Sequence, residues 1–378
     1  MRDQFRDEAA CREYLTRLRW PNGFVCPRCQ SRDAWLTARG LYHCRACAHQ
    51  ASVTAGTLFA DTNLPLRLWF EAVWHVTNQK YGASALGMQR ILGLGSYHTA
   101  WNWLHKLRRA MVRPGRDRLA GVVEVDEIYI GGPRSGKRGR GAAGKSLVVV
   151  MVQESPQGLG RIRLARVPDA SAASLEPTME RAVEPGSSVR TDDWSGYRGL
   201  KSLNYRHDVV RAEAVVGKNL LPLANRVASL LKRWLLGTHQ GAVRPTHLDY
   251  YLDEFTFRFN RRTSRSRGLL FYRLLEQAVA LKPVLTRSLV GGSDSTHNAL
   301  WSLENHAYPY SKIQIPTPQF PTVGWSRQRA DILKFGAWNL ELVWDLGFGI
   351  WNFSLRGFSP RFRQSESNPQ PSAPQGST

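Results

Sequence analysis

The chain has 378 residues, room for two or three domains, and 42% of them are hydrophobic, as in an ordinary globular protein. The formal net charge of +22, from 52 Lys+Arg against 30 Asp+Glu, is not ordinary. It calls for a polyanionic partner, and counterion release favours nucleic acid over an anionic membrane surface. No apolar run reaches the ~20 residues of a spanning helix; the nearest, residues 336–353, contains Glu341 and Asp345. Met1 to Leu18 is charged and amphipathic rather than a signal peptide, which predicts a soluble, cytoplasmic protein.

In chain order, Glu8 to Leu18 predicts a short helix with Ala9, Tyr14, Leu15 and Leu18 on one face. Trp20-Pro21-Asn22-Gly23 ends it and leads to Cys26, Cys29, Cys44 and Cys47. Two Cys-x-x-Cys knuckles about one hairpin apart predict a closed tetrahedral sulfur set around one structural zinc. Four thiolates leave no open position for catalysis, and the missing leader argues against two disulfides. Cys11 is expected to be a buried helix residue and not a ligand. Between the knuckles, residues 34–36 and 41–43 predict two strands joined around Arg39-Gly40.

From Leu66 to Val112 the pattern is helical, in three segments: residues 68–76, 84–92 with Ser84 as N-cap, and 97–111 after the Gly93-Leu94-Gly95 turn. The last two have the outline of a helix-turn-helix. Val122 to Ile130 then alternates, with Val123, Val125 and Glu127 on one face and Glu124, Asp126 and Ile128 on the other. Residues 146–153, 162–167 and 188–191 predict further strands and 171–182 a helix, an α/β order suited to a mixed central sheet. Pro133 to Gly144 is a Gly/Arg/Lys loop, read equally as solvated or as touching phosphate. Residues 223–236 and 246–259 predict two more helices. The second runs into Arg258, Arg261, Arg262, Arg265 and Arg267, a cluster expected to contact the phosphate backbone. Beyond Pro283, Trp338, Trp344 and Trp351 recur in similar surroundings and residues 364–378 are Ser/Pro/Gln-rich, which predicts an appended segment with a disordered end.

Phosphoryl transfer on nucleic acid commonly uses two divalent metals held by acids on adjacent strand ends. Asp126, in the middle of an apolar strand, and Asp192, at the end of a later one, are the candidates; taken singly, each also fits a solvated strand-end acid.

Several ordered motifs carry a family resemblance. They are Leu-Arg-Trp-Pro-Asn-Gly-Phe-x-Cys-Pro-x-Cys from Leu18, Val-Glu-Val-Asp-Glu-Ile-Tyr-Ile-Gly-Gly from Val123 and Thr-Asp-x-Trp-x-Gly-Tyr from Thr191. Ser-Leu-Leu-Lys-Arg-x-x-x-Gly-Thr from Ser229 and His-Leu-x-x-Tyr-Leu-Asp-Glu-Phe-x-Phe-Arg-Phe-Asn-Arg-Arg from His247 follow. Over about Phe5 to Leu281 the chain resembles bacterial insertion-sequence transposases with an N-terminal zinc ribbon and a DDE-type catalytic domain.

The resemblance implies an α/β chain whose ribonuclease H-like mixed-sheet domain follows a small zinc ribbon and a helix-turn-helix-like region. The expected bounds are 1–60 for the N-terminal helix and ribbon, 61–115 for the helical region, 118–282 for the catalytic domain and 283–378 for the extension. It implies DNA cleavage and strand transfer with Mg²⁺ or Mn²⁺ at two metal positions, on double-stranded element ends and target. A homo-oligomer on DNA, at the nucleoid, is implied as well.

Asp126 matches the first catalytic aspartate and Asp192 the second; Asp193 stands where glycine is usual. The third acid falls on Asn225, followed by Lys232 seven residues on, on the same helical face. Asn offers a carbonyl oxygen without charge, so the metals are expected to be held less tightly than by three carboxylates. Glu254 is the rival third ligand, and an inactive copy or a non-catalytic zinc-ribbon regulator the rival function. A regulator has no need of Asp126 and Asp192 on neighbouring strands.

Overall fold

The computed structural model describes residues 3–112, 116–131, 144–211, 220–241, 243–264, 268–284, 286 and 289, and the backbone of two strands within 341–354. Met1–His306 form one unit and Ala307–Thr378 another. In the second unit, strands Glu341–Asp345 and Ile350–Ser354 pair antiparallel, with Trp344 opposite Trp351. Trp338, residues 364–378 and most of the loop 133–144 lie outside the described residues.

The first unit opens with α1 (Glu8–Arg19), whose first turn is capped by Asp7 Oδ1 accepting from Ala10 N at 2.8 Å. Strands β1 (Ala34–Leu36), β2 (Tyr42–Cys44) and β3 (Gln50–Ala51) form an antiparallel ribbon in that order. At two residues, β3 is too short to carry a sequence pattern. Helices α2 (Leu66–Asn78), α3 (Ala85–Leu92) and α4 (Tyr97–Ala110) follow. Ser84 and Ser96 cap α3 and α4, and Gly93, at φ +63°, closes α3 in the left-handed conformation that glycine adopts without strain.

These helices share a core with a distant segment, α8 (Gly268–Ala280). Phe271, Leu274, Leu275 and Ala278 pack with Phe5, Leu15, Phe70 and Val73. Phe5 meets the ring of Phe70 at 4.8 Å and that of Phe271 at 5.7 Å. Tyr272 Oη donates to Gln4 Oε1 at 2.7 Å. The expected catalytic domain, 118–282, therefore includes a helix that packs outside its sheet. The bound at 282 comes from the resemblance, and an apolar helix face announces burial but not its partner.

The sheet holds β4 (Val122–Ile130), β5 (Ser146–Ser155), β6 (Gly158–Val167), β7 (Ser188–Thr191) and β8 (Arg206–Val209) in the order β6-β5-β4-β7-β8. The β4–β5 and β5–β6 pairs are antiparallel, and β4–β7 and β7–β8 parallel. Val123, Val125, Val149, Met151 and Val189 pack on one face against Leu175 and Met179 of α5 (Ala172–Ala182). Ile128, Val148, Val150 and Ile162 pack on the other against α6 (Pro222–His239) and α7 (Leu248–Phe259). Burial on both faces explains the unbroken apolar run of β5. This is the mixed-sheet, ribonuclease H-like class that the sequence predicts.

A buried ionic latch joins the two cores. Glu254 of α7, with no exposed surface, accepts from Arg108 Nε of α4 at 2.7 Å and from Arg258 Nε at 2.9 Å. Burial would raise the Glu254 carboxyl, but the two guanidinium groups hold it down at about 2. The loop before α3 passes so close that a Cβ on Gly82 would lie 2.8 Å from Glu254 Oε1.

Candidate metal and catalytic sites

The two knuckles have the same backbone. In each, the residue after the second cysteine is left-handed: Gln30 at φ +62° and Ala48 at φ +55°. Gln30 N donates to Cys26 O and Ala48 N to Cys44 O, both at 3.0 Å. Cys26 N reaches Ser31 O at 2.9 Å and Cys44 N reaches His49 O at 3.0 Å. This repeated turn aims four thiols inward, all Sγ atoms within 4.8 Å of one another, with Cys26 to Cys47 at 3.6 Å and Cys29 to Cys44 at 3.5 Å. Tetrahedral zinc with Zn–S of ~2.3 Å requires S···S of ~3.8 Å, so the donor set fits the metal. Against burial, which acts the other way, the N–H groups of Cys29 and Arg28 pull the Cys26 thiol down to about 7, towards the thiolate that zinc needs. Cys11 lies in the helical core with its thiol pushed up to about 12, chiefly by burial, far from a ligand's role.

The parallel register of β4 and β7 aligns Val122 with Ser188, Val123 with Val189 and Glu124 with Arg190. Asp126 follows Glu124, and Asp192 follows Arg190, by the same two positions on these neighbouring strands, Asp192 directly after the end of β7. Both are half-buried. Asp193, of opposite parity, is exposed and pairs with Arg211 at 3.4 Å.

The third position arrives through Glu124, a residue that sequence reasoning did not assign. Buried in β4 two residues before Asp126, its Oε2 accepts from Leu223 N at 2.7 Å and Ala224 N at 3.0 Å. It thereby caps α6, which has no acid in its first turn. Asn225 is the next residue of that turn, exposed, its Nδ2 donating to Leu221 O at 3.0 Å. Lys232 is exposed two turns further on. The signal for Glu124 was present as an acid in an apolar strand, but its partner is 99 residues away.

The segment after Asp192 acts as a clamp. Trp194 N donates to Asp192 Oδ1 at 3.2 Å and its indole to Ala170 O at 2.7 Å. Gly196 has no room for a side chain, since a Cβ would lie 2.5 Å from Ala170 O. Tyr197, fully buried, lies near Glu127, and its hydroxyl makes no hydrogen bond among the described residues. Burial first, then the charges of Glu127, Asp126 and Asp192, hold that phenol well above its ordinary value. One tyrosine thus senses both acid-bearing strands.

The arginine cluster is used differently from its sequence expectation. Arg258 donates to Glu254, to Gln79 O at 2.6 Å and to Val76 O, closing the end of α2. Arg262 donates to Gly160 O at 3.2 Å and to Leu159 O. Arg261 lies 4.2 Å over the Phe257 ring. Internal partners compete with phosphate for Arg258 and Arg262, while Arg265 and Arg267 lie outside the described residues. Glu254, locked between two arginines, is spent on the latch and is not available to a metal.

Comparison with known proteins agrees with this architecture. Residues 6–50 match the transposase zinc-ribbon domain family and residues 118–260 the ISXO2-like transposase domain family. An uncharacterized protein in transposable element ISH50 of Halobacterium salinarum is 27% identical over 275 residues, covering 67% of this chain and 91% of that one. Among solved structures, the cryo-electron microscopy structure of the simian T-cell lymphotropic virus intasome in complex with PP2A regulatory subunit B56 gamma is similar over 76% of this chain and 99% of that chain. Its identity is 13% and its TM-score 0.26, a likeness too slight to bear on function. Among the described residues no helix is long and apolar enough to cross a membrane. The chain thus carries a segment that matches the transposase zinc-ribbon domain family, followed by one that matches the ISXO2-like transposase domain family.

Proposed function

We propose that this transposase binds the terminal inverted repeats of an insertion sequence and catalyses metal-dependent DNA cleavage and strand transfer. The observation that supports the reading is the β4–β7 register, which pairs Glu124 with Arg190 two residues before Asp126 and Asp192, together with the Glu124 cap on the helix end bearing Asn225. Two carboxylates and an amide carbonyl are hard donors suited to Mg²⁺ or Mn²⁺. Asp126, Asp192 and Asn225 would hold two such ions, which would supply Lewis-acid polarisation of the phosphate. The chain's own part is to hold these donors in place, through the Glu124 cap and the Trp194–Tyr197 clamp. Water and then the freed 3′-hydroxyl are the nucleophiles. Lys232 contacts a phosphate near the scissile bond. The ribbon and the α3–α4 pair bind the element ends, and the protein works as a homo-oligomer on DNA at the nucleoid.

The test is Mg²⁺-dependent cleavage of a duplex carrying the inverted repeats that flank the gene. Asp126→Asn and Asp192→Asn are each expected to abolish cleavage while DNA binding and melting temperature are retained, and Asp193→Asn to cleave normally. Full cleavage by the first two variants would refute the site.

A further inference from the structure

We propose that the exposed face of α6 is a track for one strand of the substrate DNA, leading away from the carboxylate pair. The proposal rests on the transposase reading above and gives its DNA a path. Beyond Pro222 at its first position, Asn225, Arg226, Ser229, Lys232, Arg233 and Leu236 are the exposed side chains along this helix. At 100° per residue they fall in one arc, with Asn225 and Lys232 along one margin, Arg226 and Arg233 along the other, and Ser229 between.

Three features separate this face from an ordinary solvated one. First, α6 contains no acidic residue over its 18 positions, whereas a solvated helix face normally mixes both signs. Helix α1 is the comparison within the same molecule: its exposed charges alternate and pair, Arg12 with Glu8 at 3.8 Å and Arg17 with Glu13 at 3.6 Å. Second, Arg226, Lys232 and Arg233 form no hydrogen bond or ion pair among the described residues, in contrast to Arg258 and Arg262, whose donors are spent inside the fold. Third, Leu236 is 68% exposed at the far end of the arc, a large apolar side chain suited to a sugar or base face rather than to water.

The dimensions also suit a nucleic-acid backbone. The Arg226–Arg233 margin repeats after seven residues, ~10.5 Å along the helix, close to the rise of three base-pair steps at ~3.4 Å each along a duplex axis. Ser229, small and central, lets the backbone approach the helix. The Glu124 cap fixes where the track begins, because it holds the first turn of α6 beside Asp126.

The experiment compares two charge-matched double variants of the full chain, Arg226→Ala/Arg233→Ala on the track and Arg198→Ala/Lys201→Ala in the 3₁₀ helix on the opposite face of the sheet. Binding to the flanking inverted-repeat duplex is titrated with salt, alongside Ser229→Glu. The track variant is expected to bind at least ten-fold more weakly and to lower the slope of log K against log salt by about two, near 0.9 per lost phosphate contact. Ser229→Glu is expected to weaken binding at unchanged melting temperature, and the control pair to keep the wild-type slope. Equal losses in both double variants would reduce the effect to net charge and overturn the track. So would a wild-type slope in the track variant of a protein that still binds and cleaves. Failure of the wild-type chain to bind DNA at any salt would instead overturn the functional reading on which the track rests.

Discussion

The zinc knuckles and the carboxylate site are built in opposite ways. Every ligand of the knuckles lies within 21 residues of every other, and each pair is aimed by its own turn. The proposed carboxylate site draws on β4, the residue after β7 and the start of α6, and the cap beside it joins residues 99 apart. A site made by local turns can fail alone, whereas one made by register and helix docking fails with the core that sets them. Substitutions at the two sites should therefore separate a local collapse from a loss that spreads.

The largest effect is expected at the knuckles, because structural zinc contributes folding free energy on the order of 10 kcal/mol to small metal-held domains. Cys44→Ser should remove the zinc and expose the amides of residues 26–51 to hydrogen exchange. The Val123–Val189 sheet core should melt as before. Metal content and exchange in the same sample check this; a full zinc complement in the variant, or a melted sheet, would break the comparison.

Next comes the latch between the two cores. Removing one partner of a buried ion pair typically costs about 3–5 kcal/mol, so Glu254→Ala should destabilise both cores together. The sign with pH follows from the depressed carboxyl: folded at about 2 against an ordinary 4.5. Its contribution is complete above pH 4.5 and is lost as pH falls towards 2. Acid titrations of stability should show that loss in the wild type and a flatter curve in Glu254→Gln.

A smaller effect is expected at Tyr197. Tyr197→Phe keeps the packing and removes a buried hydroxyl that makes no hydrogen bond among the described residues, so the melting temperature should hold or rise slightly. If the clamp positions the acids, the half-saturating Mg²⁺ concentration for cleavage should also rise several-fold. A folded variant with an unchanged Mg²⁺ requirement would leave Tyr197 as a packing residue only.

How much of this was legible follows the same division. The cysteine spacing, the alternation from Val123 to Ile128 and the α4 periodicity each express a local rule, and the elements formed as expected. What the sequence did not show was pairing at a distance: α8 joining the helical core, Glu124 capping α6, and Arg258 and Arg262 turning inward. An arginine reads the same whether it faces phosphate or a backbone carbonyl. Asp126 and Asp192 were legible as acids on strands suited to metal chemistry, the resemblance assigned their roles, and the structure shows that their strands are parallel neighbours.

The subtlest change concerns Asn225. Its Nδ2 is committed to Leu221 O, one turn back at the helix end. Asn225→Asp replaces that donor with a carboxylate oxygen facing the carbonyl, at a cost of about 1 kcal/mol. The new charge sits in the first turn of α6, where the helix dipole returns about 0.3–1 kcal/mol. These terms nearly cancel, so the melting temperature should hardly move. The gain lies with the metal: a third carboxylate beside Asp126 and Asp192 binds a hard cation more tightly than an amide oxygen does. Cleavage by Asn225→Asp should therefore reach half its maximum at several-fold lower Mg²⁺ than the wild type, whereas Asn225→Ala should lose cleavage while remaining folded. An unchanged Mg²⁺ requirement in Asn225→Asp, with wild-type cleavage in Asn225→Ala, would place the third ligand elsewhere. It would also show that the helix end anchored by Glu124 is scaffold and not part of the site.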